Sequence, residues 1–173
     1  MWHFQTRRHL RLGGAFVLLA AVACGSVPRG GGREAVRLPE LLGDGDPARR
    51  ASQRLLIEGL EADARGDSPR AKGRYERAVQ VDPMNPYAYL VFARHEIDRR
   101  RPAQAQAFLD QARALFDTGG GVPPNVEAHL LGLQGASAAL QGQRSRAAPD
   151  LRQAADLSPA VWGDAYLAAQ ELL

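Results

Sequence analysis

The segment AKGRYERAVQVDP, residues 71–83, places Ala71, Tyr75, Ala78 and Pro83 at spacings of four, three and five residues. Spacings of three and four put the first three side chains on one face of an α-helix. Proline ends a helix because it lacks a backbone N–H and restricts the residue before it. The segment therefore predicts a helix with a stripe of small residues around one aromatic ring, followed by a turn.

The same spacings recur twice further along the chain. The first recurrence lacks the proline, whereas the second contains the whole pattern: Ala105, Leu109 and Ala112, then Ala147, Leu151, Ala154 and Pro159. The step from Ala105 to Ala147 exceeds the step from Ala71 to Ala105 by eight positions. We assign this insertion to residues 120–127, where glycine and proline favour a loop. A fixed period of about 34 residues indicates a repeat protein.

Each unit also carries a small residue twelve positions before its first alanine: Gly59, Ala93 and Gly135. A side chain of this size allows a preceding helix to cross the second one closely. The first and third units contain another glycine, Gly66 and Gly142, at the turn between the two helices. The middle unit departs from the pattern at Glu96 and Arg100.

These residues resemble the tetratricopeptide repeat (TPR). The resemblance implies an all-α fold, a TPR-type α-solenoid of three helix-turn-helix repeats. We place the repeat domain at residues 51–173, with repeats at about 52–85, 86–119 and 128–161 and a carboxy-terminal capping helix at 162–173. The alternative is an irregular helical bundle in which the alanine spacing is accidental.

The first 24 residues have the layout of an export signal. A basic segment precedes the apolar run AFVLLAAVA at 15–23, which is too short to span a bilayer and stops at Cys24. The stretch from Ala21 to Cys24 resembles the lipobox of bacterial lipoproteins, with Ala21 in place of the usual leucine. The resemblance implies cleavage of a signal peptide, residues 1–23, and acyl chains such as palmitate on Cys24. The alternative is an ordinary cysteine near a conventional cleavage site.

The same resemblance implies a location. Gly25 follows Cys24, where the enterobacterial sorting rule expects aspartate for the inner membrane. We therefore expect the cell envelope, with the protein anchored to the outer membrane and facing the periplasm. The segment from Thr6 to Leu10 also resembles a twin-arginine signal, so the export route stays open between the general secretory and twin-arginine pathways.

Charge and composition bear on the choice of partner. The chain has a net charge of +3, but the signal peptide holds three arginines and no acidic residue, so the rest is formally neutral. No basic footprint for nucleic acid is left, and we expect no nucleic-acid partner. Residues 24–50 are rich in glycine, proline and charge, with only the patch LPELL able to pack, and they predict a flexible tether.

The first helix of each TPR lines a groove, and the register predicts which residues face it. These are Leu56, Leu60, Tyr87, Leu90, Arg94, His129 and Leu133. Such a surface suits a helix or an extended peptide of another protein. The alternative is that several of these leucines belong to the core. Chaperone-binding members of the family bind a terminal carboxylate with Lys, Arg and Asn side chains. Here leucines occupy most of the groove positions and Arg94 is the one cation, so that role is disfavoured.

Catalytic chemistry finds little support in the sequence. His95 and His129 stand alone in helical segments, and one cysteine cannot build a multi-cysteine metal site. We expect no enzyme activity, no cofactor and no metal, with an enzyme or an enzyme accessory as the competing class. The favoured hypothesis is a membrane-anchored TPR scaffold that binds another envelope protein. In size and layout the chain resembles the pilotins of type IV pilus systems, which assist the secretin, so a pilotin-like factor is the alternative.

Overall fold

The computed structural model describes Leu38 and residues 46–157. Within the range 46–157 the chain forms six helices: α1 Pro47–Ala64, α2 Ser68–Val81, α3 Pro86–Asp98, α4 Pro102–Thr118, α5 Pro124–Leu140 and α6 Arg144–Leu157. The predicted signal peptide, Cys24, Pro159 and the predicted capping helix lie outside the described residues. No helix of the described range is long and apolar enough to cross a membrane.

Helix α1 begins inside the segment predicted as a tether. The carboxylate of Asp46 accepts a hydrogen bond from the backbone N–H of Arg49 at 2.8 Å, and Pro47 follows as the first helical residue. Both are helix-start signals. Leu38, also in the predicted tether, is buried in the amino-terminal core with Leu56. The burial of Leu38 agrees with the expectation that LPELL can pack. The predicted boundary at 51 is corrected, because α1 already begins at Pro47.

The helices pack in sequential pairs, α1 with α2, α3 with α4 and α5 with α6. Each pair is joined by a turn with one left-handed residue: Gly66 at φ 77°, Arg100 at φ 55° and Gly142 at φ 75°. In each turn the next backbone N–H donates to the carbonyl five residues earlier, at 2.8–2.9 Å: Asp67 to Ala62, Arg101 to Glu96 and Gln143 to Ala138. The three turns are thus equivalent, as the repeat register requires.

The repeat signature consists of the small residue in each first helix, the alanines and the aromatic or leucine residue of each second helix, and the proline that follows in the first and third repeats. It is buried where the helices cross. In the described range every signature residue except Pro83 is buried: Gly59, Ala71, Tyr75, Ala78, Ala93, Ala105, Leu109, Ala112, Gly135, Ala147, Leu151 and Ala154. A Cβ on Gly59 would lie 2.3 Å from a ring carbon of Tyr75, and a Cβ on Gly135 would lie 2.6 Å from Cγ of Leu151. These distances are shorter than any normal contact, so both crossings depend on glycine.

The eight inserted residues do not form a single loop. Relative to the signature, α4 extends three residues further than α2, and α5 begins four residues earlier than α3. The connection 119–123 adds the one remaining residue, since the equivalent connection is 82–85. Residues 124–127 therefore belong to α5, which corrects the predicted insertion at 120–127. Phe116 and Val126 in the extended turns are buried, so the insertion enlarges the core.

The core has an amino-terminal part around α1 and α2 and a larger carboxy-terminal part around α4 and α5. Tyr87 and Phe108 pack against both parts. Phe92 of α3 stacks on Phe108 of α4, with ring centroids 4.4 Å apart and an interplanar angle of 21°. Aromatic rings therefore join the two parts into one continuous interior.

Candidate functional site

The odd-numbered helices form the inner layer of the solenoid. Helix α1 contacts α3, and α3 contacts α5, whereas the even-numbered helices make no comparably extensive contact with one another in the described range. Helices that touch across repeats lie on the inside of the curve, because the splayed outer helices are further apart. A partner that lies along the repeats would meet α1, α3 and α5.

Three of the seven predicted groove residues are core residues instead. Leu56, Leu90 and Leu133 are at most 7% exposed and belong to the two parts of the interior. Each fills space between helices, so none presents its side chain to a partner. The physical reason is position along the helix: Leu56 and Leu90 share a helix face with the half-exposed Leu60 and Arg94 but lie one turn earlier, where neighbouring helices cover them.

The other four predicted residues are half-exposed: Leu60, Tyr87, Arg94 and His129. Leu60 and Arg94 are one period apart, and each lies one helical turn after a buried leucine on the same face. Tyr87 and His129 occupy equivalent positions in the second and third repeats and precede the buried leucines. We call these four residues the inner surface. They form the part of the predicted groove that reaches solvent.

The inserted turn of α4 supports one end of this surface. The ring of Phe116 meets the ring of Tyr87 edge to face, with centroids 5.2 Å apart and an interplanar angle of 89°. Burial raises the pKa of the Tyr87 hydroxyl above its ordinary value. Tyr87 is therefore held by an aromatic contact while part of it stays accessible.

A charged group lies at the other end of the surface. The side chain of Asp98 reaches solvent, yet neighbouring atoms remove enough water from its carboxyl to raise the pKa, while the positive charge of Arg94 acts in the opposite direction. Arg94 thus sits beside an acidic side chain on its own helix. A partner carboxylate that approaches Arg94 would compete with Asp98 for its charge.

A buried polar cluster, Asp63 with Tyr75 and His95, lies beneath this end. Nδ1 of His95 is 3.0 Å from both carboxylate oxygens of Asp63, and the hydroxyl of Tyr75 donates to Asp63 at 2.8 Å. Burial, followed by the hydrogen bond to Asp63, raises the pKa of Tyr75 far above its ordinary value. His95 is 1% exposed, so a substrate in solution does not reach its ring. The cluster therefore ties α1, α2 and α3 together.

Sequence reasoning missed this cluster because it treated His95 as a solitary residue. The separation of Asp63 and His95 along the chain falls two positions short of the repeat period, so neither periodicity nor a motif links them. Only the packing of α1 against α3 brings them together. Among the described residues no group of three His, Cys, Asp or Glu side chains is placed to hold a metal ion.

Comparison with known proteins identifies the fold. The N-terminal domain of stress-induced protein-1 (STI-1) from C. elegans superposes with a TM-score of 0.56 at 17% sequence identity, over 74% of this chain and 98% of that domain. No protein-family model and no curated protein matches the chain. The chain therefore has a TPR-like α-solenoid fold, as the signature predicts.

Proposed function

We propose that this TPR-like solenoid is a membrane-anchored scaffold that binds a segment of another envelope protein along its inner surface. The observation that carries the proposal is the inner surface itself. Two apolar or aromatic side chains and one cation remain partly accessible, together with part of His129, whose ring Nε2 is buried. Such a mixture suits a peptide segment with apolar side chains and an acidic residue for Arg94.

The membrane part of the proposal comes from the sequence before the repeats. Cys24 follows an apolar run of signal type, and the resemblance to a lipobox motivates lipid attachment there. Three acyl chains hold a protein stably, whereas a single chain binds a membrane only marginally. An outer-membrane location facing the periplasm follows from Gly25 as an expectation of the same kind.

Anchoring and partner binding are tested separately. For anchoring, the full chain with Cys24→Ala is compared with the unchanged chain in carbonate-washed membrane fractions. We expect the variant to leave the membrane fraction or to remain as an uncleaved precursor. Mature variant protein that stays as membrane-bound as the unchanged chain would contradict the lipid anchor.

For partner binding, the tagged full chain is cross-linked in its own membranes and the captured proteins are identified by mass spectrometry. The test variant combines Leu60→Asp with Arg94→Glu, which reverses the chemistry of the inner surface at two accessible positions. The matched control is Val79→Asp with Arg77→Glu on α2, a helix of the outer layer. Both variants are first shown by circular dichroism to remain helical.

Capture by the unchanged chain and the control, but not by the test variant, would support the inner surface as the binding site. Capture of a secretin in this pattern would support the pilotin-like alternative. Capture of a different envelope protein would keep the scaffold and replace the pathway. Equal capture by all three chains would show that the inner surface is not where the partner binds.

A further inference from the structure

One edge of the solenoid, outside the inner surface, carries an excess of positive charge. The edge consists of the three equivalent turns within repeats, at residues 65–70, 99–101 and 141–146. The inner helices α1, α3 and α5 are parallel neighbours, because a single oppositely directed helix separates each from the next. Their carboxyl ends therefore lie side by side, about 10 Å from one helix axis to the next. We call this feature the turn edge.

The charged side chains of the turn edge are predominantly arginines. Those in exposed positions are Arg65, Arg70, Arg99, Arg100, Arg144 and Arg146. Arginine binds phosphate through a planar fork of N–H donors and keeps its charge at any physiological pH. The chain has a single lysine, Lys72, outside the turn edge, so arginine supplies the positive charge at this edge as it does almost everywhere else.

Several acidic groups near this edge are engaged, whereas Asp98 at the end of α3 is exposed and belongs to no ion pair of the described residues. Glu96 is paired with Arg101, Asp63 with His95, and Glu61 lies 3.8 Å from Arg65. The carboxylate of Asp67 accepts the backbone N–H of Arg70 at the start of α2. By contrast, no ion pair of the described residues includes Arg99, Arg100 or Arg144. Within the described part of the chain, those three side chains are exposed and form no ion pair, and the carboxylate nearest in sequence to Arg99 and Arg100 is that of Asp98.

The opposite edge, where α2 meets α3 and α4 meets α5, has a different character. Arg49 forms an ion pair there with Asp82, and Arg113 forms one with Glu127 at 3.0 Å. Asp117 is exposed at the end of α4. Exposed arginines without an ion pair among the described residues also occur elsewhere, at Arg54, Arg77 and Arg152. These three lie apart from one another on α1, α2 and α6, whereas the arginines of the turn edge lie on neighbouring turns.

Arg100 adds an independent observation. Its φ of 55° is in the left-handed region, where both other repeats have glycine. An L-residue in this conformation costs about 1–2 kcal/mol. The backbone accepts that cost at the tip of the turn, where the side chain is exposed. The turn itself requires this conformation, as at Gly66 and Gly142, and in the middle repeat it places a charged side chain at the tip.

We propose that the turn edge binds the phosphate headgroups of an anionic phospholipid surface, with Arg99, Arg100 and Arg144 as the principal contacts. Three turns side by side present their charges along one line of about 20 Å, which matches a flat surface better than a pocket. The proposal does not depend on acylation of Cys24 or on a partner at the inner surface. In an anchored protein it would hold the solenoid with this edge toward the bilayer.

The first test measures arginine accessibility in the full chain with phenylglyoxal, an arginine-specific reagent, and mass spectrometry. The chain is incorporated into vesicles of phosphatidylcholine alone or of phosphatidylcholine mixed with phosphatidylglycerol, which gives the surface a negative charge. We expect Arg99, Arg100 and Arg144 to react at least fivefold more slowly on the anionic vesicles. A high salt concentration should abolish the difference because it screens surface charge. Arg54 and Arg77, exposed away from the turn edge, serve as internal controls.

The second test uses the full chain with Cys24→Ser and measures its partition into the two kinds of vesicle. The ratio of the two partition coefficients reports the electrostatic contribution to membrane binding. The apolar run contributes equally to binding of both kinds of vesicle and cancels in the ratio. Each arginine near an anionic surface contributes about fivefold. The variant Arg99→Ser, Arg100→Gly, Arg144→Ser is therefore expected to lower the ratio about 100-fold. The control Arg54→Ser, Arg77→Ser, Arg152→Ser has the same net charge and should leave the ratio unchanged.

Equal reactivity of the edge arginines on both vesicles would overturn the proposal. So would an equal drop in the ratio for the edge variant and its control, which would show that only net charge matters. Protection by a single-stranded oligonucleotide, but not by anionic vesicles, would also overturn it in favour of a nucleic acid. None of these outcomes bears on capture at the inner surface, so the two proposals fail independently.

Discussion

The middle repeat differs from the two repeats that flank it at three equivalent positions. The flanking repeats have glycine at the helix crossing, alanine as the residue whose carbonyl closes the turn, and glycine at the left-handed position of the turn. The middle repeat has Ala93, Glu96 and Arg100 at these positions. All three turns nevertheless have the same backbone hydrogen bond and a left-handed conformation at the same position of the repeat. The backbone geometry is therefore more uniform than the side chains that produce it.

The difference shows how a repeat tolerates an unfavourable residue. Glu96 is 3% exposed, in a place where the flanking repeats bury Ala62 and Ala138. Its carboxylate is neutralised by Arg101, with Nε and Oε2 2.6 Å apart and Nη2 donating to Oε1 at 3.1 Å. A buried charge with a close partner is tolerable, whereas the same charge alone is not. The middle repeat thus depends on a pair of residues where its neighbours depend on one.

The largest effect is expected at the crossing glycines. Gly135→Ala forces a methyl group against Leu151 and within 3.2 Å of the carbonyl oxygen of Ala147, so we expect a loss of about 3 kcal/mol in the free energy of unfolding. Gly59→Ala brings its methyl group within 2.3 Å of the ring of Tyr75, which is fully buried and bound to Asp63, and should cost about as much. Chemical denaturation measures both. The control Gly73→Ala, with nothing within 4 Å, should stabilise α2, and three equal responses would contradict the close crossings.

The second largest effect is expected in the ion pair of the middle repeat, Glu96 with Arg101, where the two single substitutions should differ. Arg101→Met leaves the Glu96 carboxylate buried without its counter-charge, and we expect a loss of about 2 kcal/mol, moderated because the arginine side chain is 41% exposed. Glu96→Ala installs the residue of the flanking repeats and releases Arg101 to water, so its cost should be below about 1 kcal/mol. Urea unfolding of both variants measures the two losses. A larger loss for Glu96→Ala would contradict this account of the pair.

A smaller effect of opposite sign is expected at the turn. Arg100→Gly relieves the left-handed strain and should stabilise the chain by about 1 kcal/mol, less the extra entropy that glycine has in the unfolded state. Gly66→Arg in the first repeat is the reciprocal variant and should destabilise by a similar amount. Thermal melts of the two variants give the comparison, and a change of the same sign in both would refute the equivalence of the turns.

The smallest effect concerns the pH dependence near the inner surface. The pKa of Asp98 is raised by desolvation in the folded chain, so stability falls as pH rises from the ordinary carboxyl pKa to the raised one. Asp98→Asn removes this loss. We expect the variant to gain stability relative to the unchanged chain as pH rises through this window, measured by unfolding at several pH values. Asp110→Asn, an exposed residue on α4, is the control, and a pH-independent difference for Asp98→Asn would contradict the sign.

The repeat register was predictable because it rests on local size constraints. Where helices cross closely, only small residues fit, and that requirement recurs in the sequence at the repeat period. Ala71, Ala105 and Ala147 are consequently both the signal in the sequence and the contacts in the fold. Proline and the capping residues also mark helix starts locally, and Asp46 with Pro47 shows that the start of α1 could have been placed correctly on this basis.

The inner surface was only half predictable. Leu60 and Leu56 are both apolar and lie on one helix face, yet one reaches solvent and the other is buried. Their difference depends on how closely α3 approaches α1, which no local pattern encodes. The same holds for the contact of Phe116 with Tyr87, since it requires the extra turn of α4 to extend over the start of α3.

By itself, the sequence determined the all-α solenoid, the pairing of helices and the residues at their crossings, because these follow from periodicity and side-chain volume within a single repeat. The tertiary structure alone decided which leucines stay accessible, that Asp63, Tyr75 and His95 meet, and that the arginines of three separate turns align along one edge. These features depend on distances between repeats, and such distances arise only when the helices pack.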